Sequence, residues 1–341
     1  MDRRETVRSY LERWYATKLD AGQMRASTAA AYRGHLDRYL LPHLGPLQLH
    51  ELQGRHIEGM FRAIRARDGV ARPVGPTTER RILATLRSAI RDAVRRGDLP
   101  HDHTAHVTLR SSEPRRVRPW TPEQFWRFVG LLEGQDEHTA AGRLLPLVLV
   151  AAGTGLRLGE VTGLRWADVD LDGGWLVAAQ QAQQVGNVVT YVRPKTRAGE
   201  DRRVPLGAST VDVLRSWRAR QSAARLAWGG AWQDSGLVFT APDGQPLMPF
   251  STSRSFSRLV AAHGMPHMTF HGLRHLYITV LLTSGAPMAV VSKLAGHSSI
   301  QLTVNTYGHL LDEAAVDAVQ GADVFMARPR AIPGISPGIS L

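Results

Sequence analysis

The chain is 341 residues long, 43% hydrophobic and free of cysteine, and its 42 Lys+Arg outweigh 30 Asp+Glu to give a formal net charge of +12. That length suits two domains with apolar cores, and the lack of cysteine excludes disulfides, thiolate catalysis and cysteine-ligated zinc. The positive surplus points to a polyanionic partner. The first 25 residues carry no signal-like apolar core, and the longest apolar run, residues 144–152, contains Pro146 and is too short to span a bilayer. The expectation is a cytoplasmic protein with no membrane segment.

From Thr6 to about Leu109 the apolar residues recur at helical spacing. Val7, Tyr10, Leu11, Trp14 and Tyr15 mark a first helix. A second is expected behind Ser27 as its cap, carries Tyr32, Leu36, Tyr39 and Leu40, and should stop before Pro42. Ile57, Met60, Phe61 and Ile64 mark a third. The fourth, from near Thr77, sets Ile82, Leu86, Ala89, Ile90 and Ala93 on one side and Arg80, Arg87, Arg91 and Arg95 on another. Such a stripe is ordinarily a solvated face, but charges of one sign repel unless an anion such as a phosphate backbone compensates. These four arginines are therefore candidate DNA contacts on a helical domain spanning 1–109.

Residues 110–119 hold Arg110, Arg115, Arg116, Arg118 and two prolines without periodicity, which reads as an extended linker. Arg115 and Arg116 are further candidate DNA contacts. Thr121-Pro122-Glu123-Gln124 is a capping box with proline at the first helical position, and it opens a second domain over 120–325. The apolar helix around Leu144–Ala151 breaks at Gly153-Thr154-Gly155, and a short helix begins near Leu158. Arg157 thus stands at a helix start among Leu156, Leu158 and Val161. A buried arginine needs an anion there: Glu160 within the chain, or a bound phosphate. Strand-like runs follow at 175–179, 188–192 and 202–206, the last two expected to form a hairpin with Lys195 near its polar tip. A lysine there is normally an idle surface charge. Lys18, Lys195 and Lys293 are the chain's three lysines among 42 basic residues, so the arginine bias did not place it. A helix from about Ser209 to Arg225, a strand at Leu237–Thr240, the turn Pro242-Asp243-Gly244 and a helix near Ser253–Ala262 complete the middle of the chain.

Three short motifs lie near the C-terminus: Phe270-His271-Gly272-Leu273-Arg274-His275, Ala295-Gly296-His297-Ser298-Ser299 and Asn305-Thr306-Tyr307-Gly308-His309. His271 and Arg274, three apart on a helix, project from one face. A guanidinium beside an imidazole suits an anion, and Tyr307 reads as a nucleophile aimed at it. With Arg157 and Lys195 upstream, this ordered set resembles the tyrosine recombinase (phage integrase) family over most of the chain. The resemblance implies an α+β, mostly helical fold. A helical core-binding (SAM-like) domain precedes a mixed α/β catalytic domain, and the two close as a C-shaped clamp on DNA. It implies that the chain begins inside the core-binding domain's first helix, without an arm-binding domain. It assigns Arg157, Lys195, His271, Arg274, His297 and Tyr307 as catalytic, with Glu160 supporting. The implied activity is site-specific recombination through a 3′-phosphotyrosyl intermediate, with no cofactor, metal or ATP. The implied partners are double-stranded DNA with an inverted-repeat core site, a homotetramer on that DNA, and accessory DNA-bending or directionality factors.

The chemistry asks for the same residue types. Arg157 and Arg274 can hold the non-bridging oxygens of a phosphodiester with permanently charged forks. A phenol of unperturbed pKa ~10 needs a base or an electropositive pocket, and His271 is the candidate to assist. The leaving 5′-alkoxide needs a proton, which Lys195 can give. His297 would donate to the phosphate and Glu160 would orient a neighbour. His275 and His309 have no slot in this scheme. His271 and His275, four apart, with His297 as a third ligand, motivate a metallohydrolase reading. That reading leaves Arg157, Arg274, Lys195 and Tyr307 without roles. A catalytically silent DNA-binding relative is the other alternative, and a type IB topoisomerase is disfavoured by the compact two-domain layout. Beyond Tyr307, an amphipathic piece with Leu310, Leu311, Ala314, Ala315, Ala318 and Val319 reads either as a helix packing on its own domain or as the kind of segment that docks into a neighbouring protomer in this family. The Pro/Gly-rich tail, 326–341, reads as disordered.

Overall fold

A computed structural model describes residues 4–66, 74–110, 119–135, 139–194 and 201–308. Lys195, Arg115, Arg116, His309, the amphipathic piece after Tyr307 and the tail lie outside the described residues. The chain divides into two compact units, residues 1–115 and 116–341. Among the described residues no helix is long and apolar enough to cross a membrane.

The first unit is helical. Helix α1 (Val7–Asp20) starts within the chain, behind a reciprocal capping box of Thr6 and Ser9. Helix α2 (Ala26–His35) has Arg25 at its cap and no side-chain cap, so Ser27 falls inside the first turn. It does not stop before Pro42. A π turn, Leu36–Leu40, leads into α3 (Leu41–Leu44), where Pro42 sits near the start and its missing N–H is tolerated. Helices α4 (Gly54–Arg65) and α5 (Pro76–Arg96) follow. The apolar sides expected for α4 and α5 are buried together with Tyr10, Leu11 and Trp14 of α1. The Tyr10 hydroxyl donates to the Ala89 carbonyl at 2.8 Å, tying α1 to α5. Glu79, fully buried in the first turn of α5, accepts a forked pair from Arg65 at 3.1 and 3.0 Å. Arg110 joins the same carboxylate at 3.0 Å, so this arginine, expected in the linker, is fastened to the first unit.

In the second unit, α6 (Pro122–Glu133) opens with the expected capping box: Thr121 accepts from Gln124 N, and the Gln124 side chain returns the bond. Helix α7 (Ala140–Thr154) is the centre of the core, and α8 (Leu158–Thr162) follows it. Five strands come next: β1 (Val169–Asp170), β2 (Trp175–Ala178), β3 (Gln181–Val185), β4 (Val188–Val192) and β5 (Arg202–Pro205). The expected hairpin of 188–192 with 202–206 does not form. Strand β4 pairs antiparallel with β3, whereas β5 pairs with β2 in a sheet ordered β1-β2-β5. The register explains the choice, because Leu176 faces Val204 and both are fully buried, while most of β4 is exposed or half-exposed. Strands β4 and β5, which precede and follow the segment with Lys195 in sequence, thus belong to different sheets.

Helices α9 (Ala208–Trp228), α10 (Pro249–Ala262), α11 (Phe270–Thr283), α12 (Met288–Ala295) and α13 (Ile300–Tyr307) complete the unit. The expected strand at Leu237–Thr240 makes only isolated bridges, to Arg165 and Pro246. Side chains of α9 take its carbonyls instead: Trp217 Nε1 donates to Val238 O at 2.6 Å and Gln221 Nε2 to Leu237 O at 3.1 Å. Trp120, Phe128, Phe256 and Phe270 form a chain of rings, the first contact tilted and the next two edge to face, with successive centroids 5.1, 5.7 and 5.5 Å apart, and anchor the start of α11 in the core. Phe256→Ala is expected to cost about 3–5 kcal/mol of stability by urea denaturation, the usual effect of deleting a buried aromatic side chain. A loss below about 1 kcal/mol would mean that this ring is not a core anchor.

Candidate active site

Two glycines shape the site. Gly155 ends α7 at φ +64, and a Cβ there would stand 2.3 Å from the Tyr277 ring. Gly296 ends α12 at φ +63, and a Cβ there would stand 2.0 Å from Arg202 Nη1. Only glycine satisfies both the left-handed backbone and the space. The helix ends they create present carbonyls, the negative pole of the helix dipole.

Three guanidiniums gather on those carbonyls. Arg274 on α11 is 2% exposed; its Nη1 donates to Gly155 O at 2.8 Å and its Nη2 to Ala295 O. Arg202 of β5 donates to Ala295 O at 2.9 Å, and Arg157 Nη2 to Gly296 O at 3.1 Å. Glu160, 2% exposed, supplies the carboxylate between two of them. Its Oε1 takes Arg157 Nη1 at 2.8 Å, and its Oε2 takes Arg202 Nη2 and the Arg157 backbone N–H, both at 2.9 Å. Burial alone would raise the Glu160 pKa, but Arg202 and Arg157, with the backbone bond and Arg274, outweigh it and hold the carboxyl below its usual value. Burial, then Arg157, pull Arg274 down to about 9, against the attraction of Glu160, and it remains charged at neutral pH. Arg157 itself is only half-buried, the most exposed of the three.

The histidines line the same place. His297 follows Gly296 directly, and its Nδ1 meets Thr303 Oγ1 at 2.7 Å. Burial and then Arg274 and Arg157 lower it to about 4. His271 is lowered to about 4 by desolvation, then by His275, Arg274, Arg157 and His297. The residue as a whole is exposed, so its ring can meet a ligand from solvent. Tyr307 is buried, at 3% exposure, in a small apolar cluster with Ile278, Val291 and Ala295, which fixes α13 against α11 and α12. Its hydroxyl is bonded to His275 Nδ1, not to His271. Burial raises the phenol pKa, with Arg274 opposing.

The structure thus brings Arg157, Glu160, His271, Arg274, His297 and Tyr307 into one site and leaves Lys195 outside the described residues. Sequence reasoning missed two members. Arg202 was read only as the start of a strand; its signal is that Arg203 and Val204 alternate behind it, which turns Arg202 inward with Val204. His275 was set aside, although its place directly after Arg274 puts it on the face next to the site. Among the described residues no three His, Cys, Asp or Glu side chains form a group that could hold a metal ion. His271 and His275 stand edge to face with centroids 4.8 Å apart. On the first unit, Arg87 donates to Thr104 O at 2.9 Å, Arg91 pairs with Asp102 and Arg95 with Asp92, so the stripe has compensating groups within the chain.

The profile described as the phage integrase family matches residues 121–314, more than half of the chain. The chain belongs to that family. A XerC-like tyrosine recombinase of Caldanaerobacter subterraneus subsp. tengcongensis is 34% identical over 191 residues, covering 52% of this chain and 48% of that protein. An integrase of Streptomyces ambofaciens is 26% identical over 310 residues, covering 89% of this chain and 76% of that one. The match thus spans about half the length of the first relative and three quarters of the second. In fold, the chain is similar to the Tn1549 transposon integrase solved with transposon right end DNA, with a TM-score of 0.76 at 19% identity over 92% of this chain and 99% of that one. It is also similar to a lambda integrase dimer bound to a core site, with a TM-score of 0.63 at 21% identity over 87% and 97%. These likenesses establish the architecture expected from the sequence, a helical unit followed by a mixed α/β unit.

Glu160→Gln tests the electrostatic centre. A carboxyl with a depressed folded pKa contributes stability above its unfolded value, near ~4.3, and loses it as pH falls through the lower folded value. Removing its charge should cost about 3–5 kcal/mol at pH 7, the usual effect of breaking a buried pair. The gap between variant and parent should narrow below about pH 4. A gap independent of pH in urea denaturation would mean that the charge of Glu160 does not hold the arginines.

Proposed function

We propose that the protein is a site-specific DNA recombinase that cuts and rejoins strands through a 3′-phosphotyrosyl intermediate. The observation that carries this reading is the meeting of Arg157 and Arg274, held over helix-end carbonyls, with the buried phenol of Tyr307. The three guanidiniums face one carboxylate, so the site retains a positive excess that a phosphodiester would neutralise. Arg157 and Arg274 would exchange carbonyl acceptors for non-bridging oxygens, forming stronger charge-assisted bonds. His297, neutral and fixed through Nδ1 by Thr303, would present its other ring nitrogen as a donor. His271, on the open side of α11, would contact the same phosphate.

In the first step Tyr307 Oη bonds to phosphorus and the bond to the 5′-oxygen breaks. We assign Lys195 to protonate that oxygen. The tyrosyl ester conserves the bond energy, so a partner strand's 5′-hydroxyl can reattack it and the cycle needs neither ATP nor metal. The proposed substrate is duplex DNA with an inverted-repeat core, bound by a homotetramer and assisted by bending or directionality factors; the working compartment is the cytoplasm. Similar proteins were solved on transposon ends, on a core site and, as a tetramer, on a Holliday junction, which supports the choice of partner. Arg91 and Arg95, with side chains 65% and 72% exposed, can trade their aspartates for backbone phosphates at little cost. Arg80, Arg87, Arg115 and Arg116 are proposed to join them.

Tyr307→Phe should bind site DNA as the parent does and form no covalent adduct on a nicked suicide substrate; an adduct in the variant would remove Tyr307 as nucleophile. Lys195→Ala should regain cleavage on a 5′-bridging phosphorothiolate, because a thiolate leaves without a proton, while Arg274→Ala should not. Equal rescue of both, or of neither, would take the acid's role from Lys195.

A further inference from the structure

The hydrogen-bond partner of the Tyr307 hydroxyl is His275, a residue that the reaction above leaves unused. The two rings approach with centroids 5.8 Å apart, one from α11 and the other from α13, inside the cluster that buries Tyr307. His271 lies one turn earlier on α11 and meets His275 edge to face. Arg274 stands close enough to stabilise a phenolate, but a guanidinium has no lone pair to receive a proton. His297 holds Thr303 through Nδ1. Of the ring nitrogens around Tyr307, the one hydrogen-bonded to its hydroxyl is His275 Nδ1, so the position of proton acceptor falls to that group rather than to His271.

We propose that His275 is a catalytic residue: its Nδ1 accepts the Tyr307 phenolic proton as Oη bonds to phosphorus. The role rests on the recombinase reading. In the step the Oη–P bond forms, the bond from phosphorus to the 5′-oxygen breaks, His275 becomes an imidazolium and the 5′-oxygen takes a proton from Lys195. Rejoining runs the same transfers backwards, so both groups are reset. The tautomer required carries its proton on Nε2, leaving Nδ1 to accept. Burial and then Arg274 lower the His275 pKa, so the ring is neutral and able to act as a base at pH 7. The titratable and charged groups around it are His271 and Arg274 on its own helix, Tyr307 from α13, and His297 after α12.

The test uses the full chain and nicked duplexes with randomised inverted-repeat arms, from which the parent's covalent adducts are recovered and sequenced. On a recovered duplex, His275→Asn keeps a hydrogen-bonding group near the Nδ1 position but no base. It should bind as the parent does by gel shift and form adduct about 100-fold more slowly, within the range of a lost general base. The parent's rate should fall as pH drops through the imidazole range; the variant should lack that limb and rise toward alkaline pH. A fluorinated, more acidic tyrosine at position 307 should restore at least about tenfold of the loss, because a weaker base then suffices. Adduct formation within about threefold of the parent overturns the proposal. So does a loss that the fluorinated tyrosine leaves untouched, which would mean that His275 only positions the ring. A faster variant would make the bond a latch and overturn it equally. His275→Gln, with a melting curve for each variant, repeats the comparison if the asparagine destabilises the fold. A parent that captures no duplex withdraws the recombinase reading, and this role with it; a parent that captures DNA beside an unimpaired variant removes His275 alone.

Discussion

Arg157, Arg202 and Arg274 carry three positive charges into a space that offers one carboxylate and the carbonyl ends of two helices. Gathering like charges away from water is unfavourable unless each finds an acceptor, and here each does. A helix end supplies roughly half a negative charge, so Glu160 with the ends of α7 and α12 compensates most of the cluster without cancelling it. The rest of the second unit follows from that arrangement. The acceptors exist because Gly155 and Gly296 turn the chain into left-handed backbone where any side chain would strike Tyr277 or Arg202. Glu160 must lie in the first turn of α8, where its carboxylate both caps the helix and spans two arginines. The residual positive charge is then a property of the fold, set before any ligand arrives.

Much of this was legible in the sequence, because the motif residues sit on short helices whose spacing declares their faces. The capping box at Thr121, the break at Gly155 and the pairing of Arg157 with Glu160 each depend on residues within four positions of one another. Arg202 and His275 were not legible in the same way. The partners of Arg202 are 42 and 93 residues away in sequence, and those of His275 are 32 away. No local pattern encodes such contacts. The sheet was misread for a related reason. Gln181, Gln183 and Gln184 hide the strand β3, so the visible strand β4 was paired with the next visible one, β5, although burial of Leu176 against Val204 dictates another partner. At Pro42 the sequence rule was sound for an α-helix, but the chain used a wider π turn to carry the proline through.

The arginines of α5 show how a charge pattern can mislead by omission. Read as a stripe, Arg87, Arg91 and Arg95 share one sign and seem to require an external anion. In the fold Asp92 lies three residues before Arg95, and Asp102 returns beside Arg91. Such exposed pairs contribute little to stability, so they neutralise repulsion without committing the side chains. Glu79 is the opposite case in the same helix: fully buried and gripped by Arg65 and Arg110, it has a structural part and no freedom to exchange. The exposed arginine face and the face that holds the unit together thus differ in burial far more than in charge.

The arginine cluster also governs the histidines. Around His271, His275 and His297, desolvation and the neighbouring guanidiniums act in one direction, against a further positive charge. A neutral imidazole can receive a proton, whereas an imidazolium cannot, so the charges that prepare the site for an anion also keep its bases available. A phosphodiester entering among Arg157 and Arg274 reverses the balance: a nearby negative charge favours the protonated ring. In the proposed reaction, the proton affinity of the histidines would therefore rise at the moment a proton must leave the buried phenol of Tyr307. Without an anion, burial makes that phenol harder to ionise than in water. The same electrostatic arrangement would then hold the proposed reaction back in the free protein and favour it once a phosphate is in place.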